Sequence, residues 1–264
     1  MGEEVFEITV DGQKSTTTAG ETILSACRRL GKDIPTLCHH EALKPYASCR
    51  VCLVEAKTER GGTLVASCQY PVSEGLVVET DSPAVREARK IVLELLLARC
   101  PASEVVRDLA ARYGVTSTPY PTDDPEEKCI LCGLCVRACE ELVRAAAVGF
   151  ADRGLERRVG SPFEESAEEC LGCGACVNVC PTGKVEAKYV DGVLRMETWR
   201  TDLEMAKCRR CGKAFTTQRL LERVAKEEPE LAEEIRLCPS CRSKETIHKW
   251  AEAIRLAFGA GLPS

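Results

Sequence analysis

Cys129-Ile130-Leu131-Cys132-Gly133-Leu134-Cys135-Val136-Arg137-Ala138-Cys139 and Cys170-Leu171-Gly172-Cys173-Gly174-Ala175-Cys176-Val177-Asn178-Val179-Cys180 are two copies of one pattern, Cys-x2-Cys-Gly-x-Cys-Val-x2-Cys. Four thiols within eleven residues, given twice, set the reading of the whole chain. Upstream stand Cys38, Cys49, Cys52 and Cys68. Downstream, Cys208/Cys211 and Cys238/Cys241 form two Cys-x2-Cys pairs. Of the 18 cysteines in 264 residues, only Cys27 and Cys100 fall outside these four sets.

Thiols in such numbers serve either disulfides or metals, and the redox compartment decides between them. Met1-Gly2-Glu3-Glu4 is acidic and runs straight into an alternating stretch, so no signal peptide is read here. The longest apolar run, Ile91 to Ala98, is broken by Glu94 and falls well short of the ~18 residues of a membrane span. A reducing cytoplasm and metal thiolates are the consistent reading. The net charge of −5 gives no basic footprint for nucleic acid. Aromatic residues make up only 5% of the chain, so small metal-stapled modules are expected rather than large ring-filled cores.

The spacing of the other residues predicts an α+β chain in four parts. Val5 to Val10 alternates as a strand, Asp11-Gly12 is a tight-turn dipeptide, and Gln13 to Thr18 returns. A short helix opens at Gly20-Glu21-Thr22, carries Ile23, Leu24, Cys27 and Leu30, and stops at Gly31. Val51 to Lys57, Thr63 to Ser67 and Leu76 to Thr80 read as further strands, giving a β-grasp domain over residues 1–81. Ser82-Pro83 opens a helix to about Arg99, and a second runs from about Ser103 to Tyr113. With the linker at Gly114 to Pro125 they form a helical connector, 82–125. The paired cysteine runs fill 126–199, ending in a hairpin about Asp191-Gly192. The last module, 200–264, holds the two Cys pairs, a helix near Thr217 to Lys226, and a final helix from Lys244 to Phe258 with Ile247, Trp250, Ala251, Ile254 and Phe258 on one face.

Within the first set, a tight loop supplies Cys49 and Cys52 while Cys38 and Cys68 approach from either side. A tight cysteine loop with a distant partner on a β-grasp sheet is how plant-type 2Fe–2S centres are held, although the spacing here differs from theirs. Ala47 and Ser48 are small where backbone N–H groups must approach cluster sulfurs. The text Ile34-Pro35-Thr36-Leu37-Cys38, Ser48-Cys49-Arg50-Val51-Cys52-Leu53-Val54-Glu55 and Cys68 resembles the N-terminal domain of the large iron–sulfur subunit of respiratory complex I and of related multimeric hydrogenases. That resemblance implies a 2Fe–2S centre on Cys38, Cys49, Cys52 and Cys68.

The repeated run has the spacing of bacterial dicluster ferredoxins, in which the fourth cysteine of each run ligates the other cluster. One 4Fe–4S centre is therefore expected on Cys129, Cys132, Cys135 and Cys180, and the other on Cys139, Cys170, Cys173 and Cys176. Gly133 and Gly174 recur where the loop must turn without a Cβ. Cys180-Pro181 matches the ferredoxin ending and Cys139-Glu140 departs from it. The stretch Cys129 to Glu141 nonetheless resembles the same region of complex I and iron-only hydrogenase subunits. Structural zinc is the plainer alternative for all three sets.

In the family resembled, a further 4Fe–4S centre lies between these domains on one His and three Cys. Here that segment reads Leu97-Ala98-Arg99-Cys100-Pro101-Ala102-Ser103, and the only histidines are His39, His40 and His248. That centre is expected to be absent, with Cys100 and Cys27 as buried structural thiols. His39 and His40 read as loop residues that could also tune the neighbouring ligand. The pairs Cys208/Cys211 and Cys238/Cys241, with 26 residues between them, have the spacing of a zinc ribbon and favour Zn2+ over a third 4Fe–4S centre. Lys207, Arg209, Arg210 and Lys213 give this module a basic patch, read as a partner surface rather than a nucleic-acid one.

No Gly-x-Gly-x-x-Gly, phosphate loop, Ser/His/Asp set or His-x-x-Glu-His is present, so no catalytic residue is assigned. The chain is expected to end before the catalytic domain of the iron-only enzymes. The resemblance implies an electron-transfer subunit of a cytoplasmic multisubunit oxidoreductase. Its implied partners are a flavin- and NAD(H)-binding iron–sulfur subunit, a small thioredoxin-like 2Fe–2S subunit and a terminal module. Within that family the chain looks most similar to the diaphorase-side subunit of NAD(P)-linked hydrogenases, including those that bifurcate electrons with ferredoxin, so the implied terminal module is a hydrogenase, with formate dehydrogenase as the runner-up. A metal-stabilised adaptor without redox chemistry is the reading from another class.

Overall fold

The alternation of Val5–Val10 (β1) and Gln13–Thr18 (β2) produces an antiparallel hairpin whose turn places both Asp11 and Gly12 in the left-handed region. In the computed structural model, which describes residues 5–58 and 61–247, this hairpin opens a five-stranded mixed sheet. The other strands are β3 (Leu53–Thr58), β4 (Gly61–Ala66) and β5 (Val77–Glu79), in the order β2-β1-β5-β3-β4 with β1 and β5 parallel. The helix α1 (Ile23–Arg29) is capped by Thr22, whose hydroxyl accepts from the Ser25 N–H at 3.3 Å. Its inner residues Ile23, Leu24, Ala26 and Cys27 share one core with Ile8, Val10, Val54 and Val78. This is the β-grasp arrangement, and Cys27 is wholly buried in it.

Two more helices follow. Ser82 caps α2 (Pro83–Arg99) and Ser103 caps α3 (Glu104–Arg112), each through its hydroxyl. Leu93 and Leu97 of α2 meet Val106, Leu109 and Ala110 of α3 in a second core. That core also contains Leu37, Cys38, Cys49 and Val51 from the first ligand loop, and Ile130, Cys132, Leu134 and Ala138 from the first repeated run. The connector is therefore a packing element that both ligand loops share. Arg89 fastens α2 to the sheet. It is almost fully buried, and its guanidinium donates to the Leu53 carbonyl at 2.7 Å and to the Tyr113 hydroxyl at 3.0 Å. Within the first run, α4 (Leu134–Arg137) passes into a π-helical turn, Ala138–Leu142, that carries Cys139. Two short strands, β6 (Gly149–Ala151) and β7 (Arg158–Gly160), form a small sheet beyond it. In the second run, α5 (Ala175–Asn178) is a single turn.

The chain divides into two units. One comprises Met1–Arg144, Gly149–Val159 and Ala175–Val185; the other Ala145–Val148, Gly160–Gly174 and Glu186–Ser264. The second unit is built on a four-stranded antiparallel sheet, β11-β10-β9-β8. The hairpin expected about Asp191-Gly192 forms β8 (Ala187–Val190) and β9 (Val193–Met196). Two strands extend it beyond the sequence expectation: β10 (Thr201–Lys207) and β11 (Ala214–Thr217). Met196, Trp199 and Leu203 are buried there. Thr217 caps α6 (Gln218–Glu227), and residues 239–247 are helical. His248 and the greater part of the helix expected from Lys244 to Phe258, with Trp250, Ala251, Ile254 and Phe258, lie outside the described residues. Among the described residues no helix is long and apolar enough to cross a membrane.

Candidate metal centres

The first thiol set is gathered by the turn between the β-grasp core and the second core. Cys38, Cys49, Cys52 and Cys68 are all buried. Ala47 and Arg50 both take left-handed backbone conformations, which coil the loop around Cys49. The Cys49 N–H donates to the Cys38 sulfur at 3.4 Å. The Cys38 thiolate also accepts from the Cys49 and Cys68 thiols, which holds it well below the ordinary thiol range. Cys52 is lowered to about 6, chiefly by its contact with Cys68. Cys68 and Cys49 are raised in return, each chiefly through its bond to Cys38. The sulfurs thus touch in a chain, Cys49 to Cys38 to Cys68 to Cys52. His39, beside Cys38, has its pKa lowered by burial, and its Nδ1 makes no hydrogen bond. His40 Nδ1 accepts from the Ala42 N–H at 3.2 Å.

The first run lies in the same unit. Leu131 and Gly133 adopt positive φ, turning the loop so that amides face the thiols. The Leu131 N–H donates to the Cys129 sulfur at 3.4 Å. Leu134 and Val136 donate likewise to Cys132 and Cys135. A Cβ on Gly133 would come within 3.1 Å of Phe150 Cζ, so both φ and packing favour glycine there. Burial raises all three thiols, Cys132 to about 12, and the charge of Cys180 reaches each of them. These thiols prefer to be neutral unless a cation replaces their protons, which is the chemistry of a metal site. The second run's end is tied to the first run's start: Glu127 pairs with Lys184 at 2.7 Å and accepts from the Lys128 and Cys129 N–H groups at 2.8 Å each.

Two side chains join these loops. The Ser48 hydroxyl donates to the Cys132 carbonyl at 3.3 Å. Arg137, nearly buried, donates to the carbonyls of Lys44 and Cys38 and lies 4.9 Å over the Tyr46 ring. Arg137 thereby ties α4 to the loop that carries Cys38 through carbonyls far away in the chain. The spacing of cysteines gives no hint of either residue's role.

Of the remaining set, Cys139 and Cys176 belong to the first unit and Cys170 and Cys173 to the second. Cys170 and Cys176 are buried, Cys139 is half-buried and Cys173 is exposed. Gly172 and Gly174 both take positive φ beside Cys173.

The fourth set is compact. The sulfurs of Cys208, Cys211, Cys238 and Cys241 all lie within 4.8 Å of one another, and Cys211 and Cys238 are 3.8 Å apart. The Cys238 N–H donates to the Cys208 sulfur at 3.3 Å, the main cause that brings the Cys208 thiol down to about 6. Gly212 turns the knuckle through positive φ. Cys100 belongs to none of the four sets; its buried thiol donates to the Leu96 carbonyl at 2.9 Å, and burial raises it to about 12.

Residues 3–83 match a family described as a 2Fe-2S iron-sulfur cluster binding domain. Residues 128–184 and 162–214 match two families, each described as a 4Fe-4S dicluster domain. The second of these matches extends through Cys208 and Cys211. The chain is 35% identical over 182 residues to a subunit of the NADH-quinone oxidoreductase of Rhizobium meliloti, covering 59% of this chain and 21% of that one. It is 36% identical over 188 residues to NADP-reducing hydrogenase subunit HndD of Solidesulfovibrio fructosivorans, covering 61% and 32%. Among solved structures, a chain of the NAD+-reducing [NiFe]-hydrogenase in the H2-reduced state aligns with a TM-score of 0.59 at 27% identity, over 67% of this chain and 85% of that one. The two curated relatives are much longer, and the match spans between about a fifth and a third of their length. The chain is thus similar to subunits of NADH-quinone oxidoreductase and of NAD(P)-linked hydrogenases.

Proposed function

We propose that this chain, as a homologue of complex I and hydrogenase iron–sulfur subunits, relays single electrons between a flavin- and NAD(P)H-binding partner and a terminal module, for which a hydrogenase is the best match. In this reading Cys38, Cys49, Cys52 and Cys68 hold a 2Fe–2S cluster. Cys129, Cys132, Cys135 and Cys180 hold one 4Fe–4S cluster, and Cys139, Cys170, Cys173 and Cys176 the other. Cys208, Cys211, Cys238 and Cys241 hold one Zn2+. The domain limits 1–81, 82–125, 126–199 and 200–264 go with this assignment. A small thioredoxin-like 2Fe–2S subunit is the third partner proposed.

The observation that carries the reading is the single core in which the Cys38/Cys49 loop and the Cys132 loop meet, joined by Ser48 and Arg137. Bound iron–sulfur clusters supply one-electron redox chemistry over a wide range of potentials. The protein's own share is threefold. Burial keeps water from Cys38, Cys49, Cys52 and Cys68 and from Cys132 and Cys135. Amides of Cys49, Leu131, Leu134 and Val136 donate to sulfur and so favour added negative charge. The shared core fixes the gap between the two loops.

Zinc is proposed at the fourth set because one ion with Zn–S bonds of about 2.3 Å at the centre of a tetrahedron puts its sulfurs about 3.8 Å apart. The Cys211 to Cys238 separation has that value. The thiolates of a cubane cluster cap its corners and stand farther apart than this compact set allows. The functional test is electron delivery under anaerobic conditions. NADH is expected to bleach the visible absorbance of the full chain only when the flavin-binding partner is added. Bleaching that never occurs with any flavin- or ferredoxin-type donor favours the non-redox adaptor.

A further inference from the structure

We propose that the C-terminal four-cysteine site and the loop carrying Cys170 and Cys173 act as one mechanical unit, in which the C-terminal metal holds Thr217 and Arg219 in place as positioning residues for that loop. This deepens the function proposed above and rests on its assignment of a cluster to the second run.

The loop has little to hold it from within. Residues 167–172 contain no helix or strand, and instead lie on the sheet of the second unit. The Ala167 N–H donates to the buried Thr201 hydroxyl of β10 at 2.8 Å. Arg219 of α6 donates to the carbonyl of Glu168 at 2.7 Å and to that of Cys170 itself at 3.4 Å. The hydroxyl of Thr217, fully buried at the end of β11, donates to the Leu171 carbonyl. Gly172 is pressed against the same residues. A Cβ there would stand 2.5 Å from Thr217 Cγ2, 2.8 Å from Leu203 Cδ1 and 3.1 Å from Leu194 Cδ2. These fastenings come from β9, β10, β11 and α6.

Thr217 and Arg219 in turn depend on the knuckle. The turn from β10 to β11 is the stretch Cys208 to Lys213, closed by Cys208 N–H to the Lys213 carbonyl at 2.9 Å and Gly212 N–H to the Cys208 carbonyl at 2.8 Å. β11 has only four residues, and α6, which Thr217 caps, has no fully buried residue. The core at this end consists of Cys208, Leu237, Cys238 and Cys241 with Phe215 against them. β10 and β11 belong to the four-stranded sheet, but the knuckle end that sets the start of β11 and α6 has a core made mostly of thiols and little stability of its own. Metal binding supplies it. The family match that runs without a break from residue 162 to 214 covers the loop, β10 and the knuckle together.

The test uses the full chain, purified anaerobically, in three forms: Cys241→Ser, Thr217→Val and Arg219→Leu. The second and third keep the zinc ligands. Amide exchange across 167–174 is expected to rise about ten-fold in all three, as local opening becomes cheaper, while exchange in the β-grasp sheet stays unchanged. Iron of the second-run centre is expected to pass to a ferrous chelator faster in each variant, with the 2Fe–2S EPR signal retained. Thr217→Ser, which keeps the hydroxyl, restores both. Unchanged exchange over 167–174 in Cys241→Ser overturns the proposal, as does equal acceleration throughout the chain. The exchange arm reads the loop whether or not iron is bound. A chain whose second run holds no iron would therefore defeat the cluster assignment while leaving the exchange response visible.

Discussion

Cys180→Ser is expected to cost the chain about four iron atoms, and those of the first run rather than its own. The sequence places Cys180 in the second run, 41 residues beyond Cys139. In space its charge reaches Cys129, Cys132 and Cys135 together, in one unit with them. Glu127 and Lys184 tie the flanks of the two segments at 2.7 Å. A serine hydroxyl ionises far less readily than a thiol and is a harder donor, so three thiolates would be left to hold a cluster in a dry site. Burial already presses those thiols toward their protonated forms, Cys132 to about 12. Acid therefore acts in the same direction as the mutation, because falling pH protonates ligands that metal binding must deprotonate. The EPR spectrum that remains in Cys180→Ser should match that of Cys132→Ser and differ from that of Cys173→Ser. A spectrum matching Cys173→Ser would show that each run keeps its own fourth cysteine.

The second large effect is expected at the other end of the chain. Cys238→Ser should abolish zinc binding and unfold the knuckle with it. Structural zinc contributes apparent binding free energies of about 10–16 kcal/mol in small zinc-finger peptides, and there that energy is folding energy. Here the local core offers little else: among the described residues, Leu237 and Phe215 are its apolar members besides the thiols. The Cys238 N–H bond to the Cys208 sulfur disappears along with the fourth ligand. Metal analysis of the unaltered chain should give about ten iron and one zinc, and the variant should lack the zinc. About fourteen iron and no zinc in the unaltered chain would mean a third cubane at this site, against the 3.8 Å sulfur separation.

How far the sequence reveals this molecule depends on which interactions set each part. The β-grasp sheet is legible because Val5 to Val10 alternates, Asp11-Gly12 turns and Gly31 stops α1, all local signals. The connector helices are legible from Ser82-Pro83 and Ser103 at their caps. β10 is harder to see, although Thr201 and Leu203 point inward while Asp202 and Glu204 point out. No turn dipeptide precedes it, and its outward residues are charged, so the pattern reads as surface until β9 supplies a partner. The thiols of the candidate centres stand out by spacing alone. The groups around them do not. Arg89 and Arg137 carry charges that a sequence reading sends to solvent, yet both are buried on carbonyls brought in from far along the chain. Arg219 is likewise an ordinary helix-surface residue in the sequence, and only the fold sets it against the Cys170 carbonyl.

That the chain conducts electrons, rather than merely containing metal, is the premise beneath every other assignment. It stands or falls on an anaerobic potentiometric titration of the full chain, followed by EPR at several temperatures. One 2Fe–2S and two 4Fe–4S signals are expected to appear on reduction and vanish reversibly on reoxidation, integrating to about one spin each. Iron that yields no reducible signal within reach of nicotinamide or ferredoxin donors, or a colourless chain holding only zinc, would be incompatible with an electron relay.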